Sequence, residues 1–232
     1  MKIYTKTGDK GISSLYNGIR LTKTSIYFKL LGDLDELNCH IGMAKSYWKE
    51  KNDEFKNNKI TDFIDTHLVD DFVNIGNILT KIQCLIMDIS SFIATPPWHE
   101  LKPIKGDIEE LIETWINKVS IDFNEIKRTE ILIDKYESFL PPIKNFVVPG
   151  NNVLVSSIHI CRSVTRRCER SYIEFLQSDL LCYNVYEHVD CHFNNVQVYL
   201  NRLSDFFFVI SRFLSFSLNV EEECYSKSKG IL

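Results

Sequence analysis

The 232-residue chain has little that interrupts regular structure: only 9 glycines and 6 prolines. Long helices are therefore the first expectation. It has no basic excess, since 27 Lys and Arg face 31 Asp and Glu for a net charge of −4. That balance argues against a sequence-independent nucleic-acid binder. Its cysteines, Cys39, Cys84, Cys161, Cys168, Cys182, Cys191 and Cys224, are odd in number and contain no Cys-x-x-Cys pair. Neither a disulfide framework nor a zinc ribbon is expected, and buried thiols in a reducing compartment are. The start, Met1 to Thr5, lacks a charged residue leading into an apolar stretch, and no Arg/Ser-rich presequence is visible. The longest apolar run, Phe206 to Ile210, falls far short of the roughly 20 residues that span a bilayer. No membrane or nucleic-acid partner is expected. Cytoplasm is the default location, with the mitochondrial matrix the alternative for a chain shown without its presequence. What is there, 44% hydrophobic and 25% charged residues, is the balance of a soluble globular protein.

Residues 1–26 read as an extended segment punctuated by Gly8, Gly11 and Gly18. From Tyr27 to about Glu50, Leu30, Leu31, Leu34, Leu37, Ile41 and Ala44 recur at helical spacing. Residues 49–62 read as a solvated loop. A long helix follows from about Asp65 to Ala94 and ends at Pro96-Pro97. Further helices are expected over about 107–118, 124–139, 153–177 and 187–219. Pro141-Pro142 and an extended stretch from Asn145 to Val148 lie between them, followed by a turn at 149–152. Residues 220–232 form a charged tail. The fold expected is all-α: a five-helix antiparallel bundle with an extended N-terminal segment, making one domain over 1–232. The run Phe206 to Ile210 makes the last helix apolar nearly all round, as at a bundle centre or a subunit interface.

Chemistry concentrates in a few places. Arg162, Arg166 and Arg170 are four apart and share a helix face, with Arg167 beside them. Like charges at this spacing repel unless an anion or acids neutralise them. A salt-bridged face explains such a row, and so does a polyphosphate site, because guanidinium forks match phosphate oxygens. The segment Thr5-Lys6-Thr7-Gly8-Asp9-Lys10-Gly11-Ile12-Ser13-Ser14 has the glycines, hydroxyls and lysines of a phosphate-cradling loop, without being a Walker A sequence. Asp33, Asp35 and Glu36 read as acids at a helix start, which the helix dipole favours. Asn201 and Asp205 sit one turn apart on the apolar last helix. Buried polar groups need partners, so Asp205 is expected to pair with an arginine of the preceding helix. His188 and His192 are four apart but have no third ligand at a recognisable spacing, so no metal site is assigned. His159 reads as a packed, hydrogen-bonded core histidine.

In this order the segments resemble the PduO-type ATP:cob(I)alamin adenosyltransferases. Tyr4 to Gly11, Asp35-Glu36-Leu37-Asn38, Ala94-Thr95-Pro96, Leu140-Pro141-Pro142 and Phe146 to Gly150 carry the resemblance. So do the strings Arg166-Arg167-Cys168-Glu169-Arg170 and Asn201-Arg202-Leu203-Ser204-Asp205. The resemblance implies a five-helix bundle, a homotrimer with active sites between subunits, and a reaction in which Co(I) attacks the 5′ carbon of ATP. Triphosphate leaves and adenosylcobalamin forms. It assigns Thr5, Lys6, Thr7, Gly8, Ser13, Ser14 and Lys23 to an N-terminal ATP loop, and Arg166, Arg167, Glu169, Arg170 and Asn201 to the rest of the ATP site. Arg162 and Asp35 match an intersubunit ion pair near the cobalamin. Phe146 matches an aromatic at the corrin's lower face, which displaces the lower axial ligand and eases reduction to Co(I). ATP and cob(I)alamin are the implied substrates and Mg²⁺ the implied metal. A cob(II)alamin reductase and an adenosylcobalamin-dependent mutase are the implied partners. The other reading is a non-catalytic carrier delivering adenosylcobalamin to a mutase. Asn151 stands where the family commonly has a second glycine, and Asn tolerates positive φ. The linkers near 50–65 and 100–128 look longer than the family core needs.

Overall fold

The structure, a computed structural model, describes residues 3–57, 68–96, 121–180 and 186–225. Five helices occupy most of them. They are α1 (Ile26–Lys56), α2 (Val69–Ala94), α3 (Phe123–Glu137), α4 (Val153–Phe175) and α5 (Tyr186–Ser217). The expected helix over 107–118 lies outside the described residues, as do residues 58–67 and 97–120 in and around the two long linkers.

Local chemistry starts three of these helices. Ser25 Oγ accepts from the Tyr27 N–H at 3.4 Å. Asp122 Oδ1 accepts from Asn124 N–H at 3.1 Å. Asn152 Oδ1 accepts from Leu154 N–H at 2.8 Å and Val155 N–H at 3.4 Å. Each satisfies donors that the first turn leaves without partners. The residue before the last cap, Asn151, has φ +67, so the turn takes the left-handed conformation that asparagine tolerates. α4 ends at Phe175 in a single π-turn, Leu176–Leu180.

Two sequence expectations need correction. The stretch from 49 is not a loop as far as residue 56, because α1 continues to Lys56. Lys and Glu are good helix formers whatever their polarity. Lys51 pairs with Glu54 one turn on, while Asn52 is buried and Phe55 packs on the core. Nor do Asp33, Asp35 and Glu36 sit at a helix start. The first turn of α1 holds no acid, so the dipole does not explain them.

Contacts across the bundle set the helix directions. α2 runs antiparallel to α1, with Trp48 Nε1 donating to the Phe72 carbonyl (2.9 Å) and Gln83 Nε2 to the Asn38 carbonyl (3.2 Å). α1 runs antiparallel to α4 through Lys29–Glu174 and Arg167–Glu36. α4 runs antiparallel to α5, placing His159 against Phe208 and Glu169 against Asn201. α3 lies antiparallel to α2 but parallel to α5, since Glu130 meets Arg202 while Tyr136 meets Phe206 and Phe213. α5 is the central helix foreseen from its composition. Tyr199, Leu200, Leu203, Phe206, Phe207, Ile210, Phe213 and Leu214 are all buried.

Two short ribbons attach to the bundle. β1 (Ile12–Ser14) pairs with β2 (Arg20–Thr22) in an antiparallel hairpin, Ser13 opposite Leu21. β3 (Val147–Val148) pairs antiparallel with β4 (Glu223–Cys224), Val147 opposite Cys224. The tail, read as a charged end, is thus structured at its start and tied to the segment that carries Phe146.

Gly76 of α2 lies beneath the Trp48 ring, and a Cβ there would fall within the indole. Alanine normally stabilises a helix interior by about 1 kcal/mol relative to glycine. Here overpacking of roughly 1–3 kcal/mol opposes that gain. Gly76→Ala is expected to lower the urea midpoint of unfolding, and a raised midpoint would show that α1 and α2 are not in this close contact.

Candidate active site

α4 is held on two sides, against α1 and α5, and its four neighbouring arginines meet three different fates. Arg167 points to α1. Its Nε donates to Asp33 Oδ1 at 3.0 Å and its Nη2 donates to Glu36 Oε2. Ser171 Oγ donates to the other Asp33 oxygen at 2.6 Å. The hydrogen bond from Arg167 holds the Glu36 carboxyl below its ordinary range. These contacts account for Asp33 and Glu36, and they occupy a guanidinium assigned from sequence to the ATP site. Arg170 Nη1 donates to the Arg166 carbonyl at 3.0 Å.

Glu169 and Asn201, also assigned to that site, meet directly. Asn201 Nδ2 donates to Glu169 Oε1 at 3.0 Å, and Arg202 Nη1 donates to Asn201 Oδ1 at 2.7 Å. Arg202 Nε then reaches Glu130 Oε1 at 2.8 Å. The chain of bonds fixes the Asn201 amide, with its oxygen accepting and its nitrogen donating.

Arg162 and Arg166 face a cavity of about 430 Å³ between α3, α4 and α5. Glu130, Asp134 and Glu137 line it from α3, and Asp205 and Phe208 from α5. Among the described residues, Asp205 forms no ion pair with an arginine of α4, contrary to the sequence expectation. It is exposed to the cavity it shares with them. A second cavity of about 590 Å³ adjoins through the same Arg162 and Phe208. Its other walls are mainly apolar: Ile143, Phe146, Val147 and Tyr225. Phe146 is 83% exposed, with its ring unpacked in the single chain. Arg162 Nε is buried without a hydrogen-bond partner. A guanidinium placed between a charged cavity and an apolar one is equipped to meet an anion beside a flat apolar ligand.

The N-terminal loop gathers the other assigned residues. Thr5 and Thr7 hydroxyls lie 2.8 Å apart, and Lys6 takes φ +60. Lys23, distant in sequence, closes on the loop. Its N–H donates to the Gly11 carbonyl at 2.8 Å, and its Nζ would stand 3.1 Å from a Cβ at Gly8. Ser13 and Ser14 are in β1. Among the described residues, no hydrogen bond or ion pair joins this loop to the arginines of α4, nor Asp35 to Arg162. Within one chain, then, no bond among the described residues joins the two halves of the expected nucleotide site.

The described residues hold no group of three His, Cys, Asp or Glu able to bind a metal. The side chains of His188 and His192 lie outside the described set. Burial pushes the thiols of Cys161 and Cys168 up to about 12, which makes both inert as nucleophiles. His159 is packed as expected, edge-on to Phe208 with ring centroids 6.4 Å apart. Contrary to expectation, its Nδ1 has no hydrogen-bond partner. Sequence reading missed two features of the cavities. The spacing of Glu130, Asp134 and Glu137 marks one helix face and carried a signal. Tyr225, in a polar tail, carried none.

The cobalamin adenosyltransferase family profile matches residues 3–214. The chain is 32% identical over 226 residues to corrinoid adenosyltransferase MMAB of Mus musculus, covering 97% of this chain and 78% of that one. It is 29% identical over 228 residues to the corrinoid adenosyltransferase of Bacillus subtilis, covering 98% and 94%. Among solved structures, it resembles a Phe-to-Ala variant of the PduO-type ATP:corrinoid adenosyltransferase from Lactobacillus reuteri complexed with cobalamin and ATP. The TM-score is 0.68 at 26% identity, covering 97% and 99%. An Arg-to-Lys variant of the same enzyme, complexed with ATP, gives 0.67 at 26% identity, covering 97% and 100%.

Burial, and then the charge of Arg162, lower the His159 pKa to about 4. The unfolded chain binds this proton near 6.5. Between pH 6.5 and 4 the unfolded state therefore holds more protons, so stability falls as pH falls. Replacing His159 with Gln removes that dependence. Following unfolding free energy from pH 8 to 4, the gap between wild type and variant is expected to shift by roughly 3 kcal/mol in the variant's favour. A constant gap would mean that His159 titrates normally.

Proposed function

The chain belongs to the cobalamin adenosyltransferase family, and on that premise we propose how its residues carry the reaction. The chain is a corrinoid adenosyltransferase: it moves the 5′-deoxyadenosyl group of ATP onto Co(I) of cobalamin, releases triphosphate and forms adenosylcobalamin. Co(I) is the nucleophile and brings its own electron pair, so the protein needs no catalytic Ser or Cys. The protein must bring cobalt and C5′ into line, stabilise the departing triphosphate and exclude water.

The observation that carries the assignment is the pair of adjoining cavities sharing Arg162 and Phe208. On this reading the corrin lies against Phe146 in the apolar cavity, and the triphosphate lies toward Arg166 and Arg170. Arg166 has its guanidinium exposed to the charged cavity and is free to make charge-assisted bonds as negative charge gathers on the leaving group. Asn201, its amide oriented by Glu169 and Arg202, adds a fixed dipole. Arg167 serves by clamping α4 to α1, since its guanidinium is held by Asp33 and Glu36. Phe146 occupies the lower face and keeps an axial donor off Co(II), which eases reduction to Co(I).

Thr5 to Gly8, Ser13, Ser14 and Lys23 hold the phosphates from the other side. The loop makes no bond to the α4 arginines within one chain, and a second copy bringing its loop to them would complete the site. On this reading the chain assembles as a homotrimer with intersubunit sites, as its resemblance to the family implies, with Asp35 of one copy pairing with Arg162 of the next. For Mg²⁺, the described residues offer no all-protein cage. Mg²⁺ keeps several waters and binds through substrate phosphates, so it would arrive with ATP. A cob(II)alamin reductase supplying Co(I) and a mutase using the product are the partners this chemistry calls for. The described residues make one bundle domain, and the free thiols among them suit a reducing compartment, cytoplasm or mitochondrial matrix.

Anaerobic incubation with ATP and Co(I)alamin should yield adenosylcobalamin; a carrier would yield none. Arg166→Ala is expected to lose roughly 1.5–3 kcal/mol per charge-assisted contact, about ten- to a hundredfold in kcat/KM for ATP. Unchanged kinetics would remove Arg166 from the site. Phe146→Ala should slow conversion that starts from Co(II) far more than alkyl transfer to pre-reduced Co(I). Equal losses would contradict its role at the lower face.

A further inference from the structure

One buried cation outside the lining of the apolar cavity is bonded to both segments that bring Phe146 and Tyr225 to it. Arg212 lies on α5, 4% exposed. Its Nε donates to Glu222 Oε1 at 3.0 Å and Oε2 at 3.2 Å, and its Nη2 donates to Glu222 Oε2 at 3.2 Å. The same Nη2 donates to the Pro141 carbonyl at 3.0 Å. One buried cation thus grips both the C-terminal tail and the start of the segment leading to Phe146.

From Glu222 onward the tail is laced to that segment. Glu223 lies opposite Val148 and Cys224 opposite Val147. The Tyr225 N–H donates to the Phe146 carbonyl at 2.7 Å. On the other side of Glu222, the Glu221 carbonyl accepts from Asn151 Nδ2 at 2.9 Å. Phe146 and Tyr225 come out as neighbours, and both line the apolar cavity. Two-residue strands are too short to hold a position by themselves. They need an anchor in the bundle, and Arg212 is one.

A buried apolar contact would anchor the ribbon without desolvating a cation. What a guanidinium fork adds is register, because a carboxylate fits it at one place along the tail. A slip of one residue would turn Tyr225 to the opposite face of the ribbon. We propose that Arg212 is a positioning residue for the corrin pocket. By pairing with Glu222 and holding the Pro141 carbonyl, it sets β4 against β3 so that Phe146 and Tyr225 form one aromatic wall. Tyr225 is then the second ring facing the lower side of the corrin. The inference rests on the placement of the corrin against Phe146 argued above.

The test uses full-length Glu222→Gln and Arg212→Met, with Phe146→Ala alongside. Glu222→Gln leaves every helix untouched and serves alone if Arg212→Met does not fold. In the ligand-free proteins, amide exchange at 147–148 and 223–225 should quicken roughly tenfold while α4 and α5 stay protected. Conversion starting from Co(II)alamin should slow roughly tenfold, with transfer from pre-reduced Co(I) and the KM for ATP within about twofold of wild type. Unchanged exchange at the ribbon overturns the proposal, and so does equal slowing of both routes. The Phe146 placement fails separately: Phe146→Ala would convert Co(II)alamin as well as wild type. A Co(II)-route deficit in Glu222→Gln beside that result would leave Arg212 acting through Tyr225.

Discussion

Four arginines within nine residues of one helix are the constraint on which the rest of the structure turns. A helix with such a row repels itself and resists burial, yet α4 is packed on both sides. The structure resolves this by giving the guanidinium groups different surroundings. Arg167 is neutralised inside the chain by Asp33 and Glu36, and the same contact fastens α4 to α1. Arg170 folds back onto the helix backbone. Arg166 and Arg162 are left toward the cavity, with the Arg162 Nε unpaired. Internal neutralisation is thus partial, and the charge left over is where a polyanion has something to gain.

Arg162 owes part of its character to what lies beneath it. His159, one turn earlier on α4, is buried and kept neutral by that burial and by the neighbouring guanidinium. A protonated imidazole there would put a second, buried cation beside the Arg162 guanidinium. Neutral, it acts as an apolar edge against Phe208, the residue common to both cavities. The residues common to the charged and the apolar cavity are therefore one arginine and a phenylalanine backed by a neutral histidine. That composition keeps the two environments distinct over a single helical turn.

Much of this was legible in the sequence, for physical reasons. Helical periodicity is strong where one face is buried, so α2, α4 and α5 were placed nearly to their ends. The arginine row and the Asn201 string were visible because their spacing matches a helix turn. What could not be read depends on partners far away in the chain. Asp33 and Glu36 looked like dipole acids until Arg167 was seen 131 residues and more away. Lys49 to Lys56 looked like a loop because polarity hides a helix whose packing comes from Asn52 and Phe55. The tail looked like a solvated end because neither two-residue strand has a pattern of its own.

Asn151 joins these threads. In place of a glycine, asparagine takes the left-handed turn at φ +67, and its side chain does what glycine could not by donating to the Glu221 carbonyl. The turn that starts α4, and so sets where the arginines fall, is thereby bonded to the tail that carries Tyr225. Asn152 next to it caps the helix. A shift in this turn would rotate Arg162 and Arg166 out of the cavity and move the aromatic ribbon with them. The start of the helix that carries the arginines and the ribbon that carries Phe146 and Tyr225 are therefore joined through one short piece of backbone.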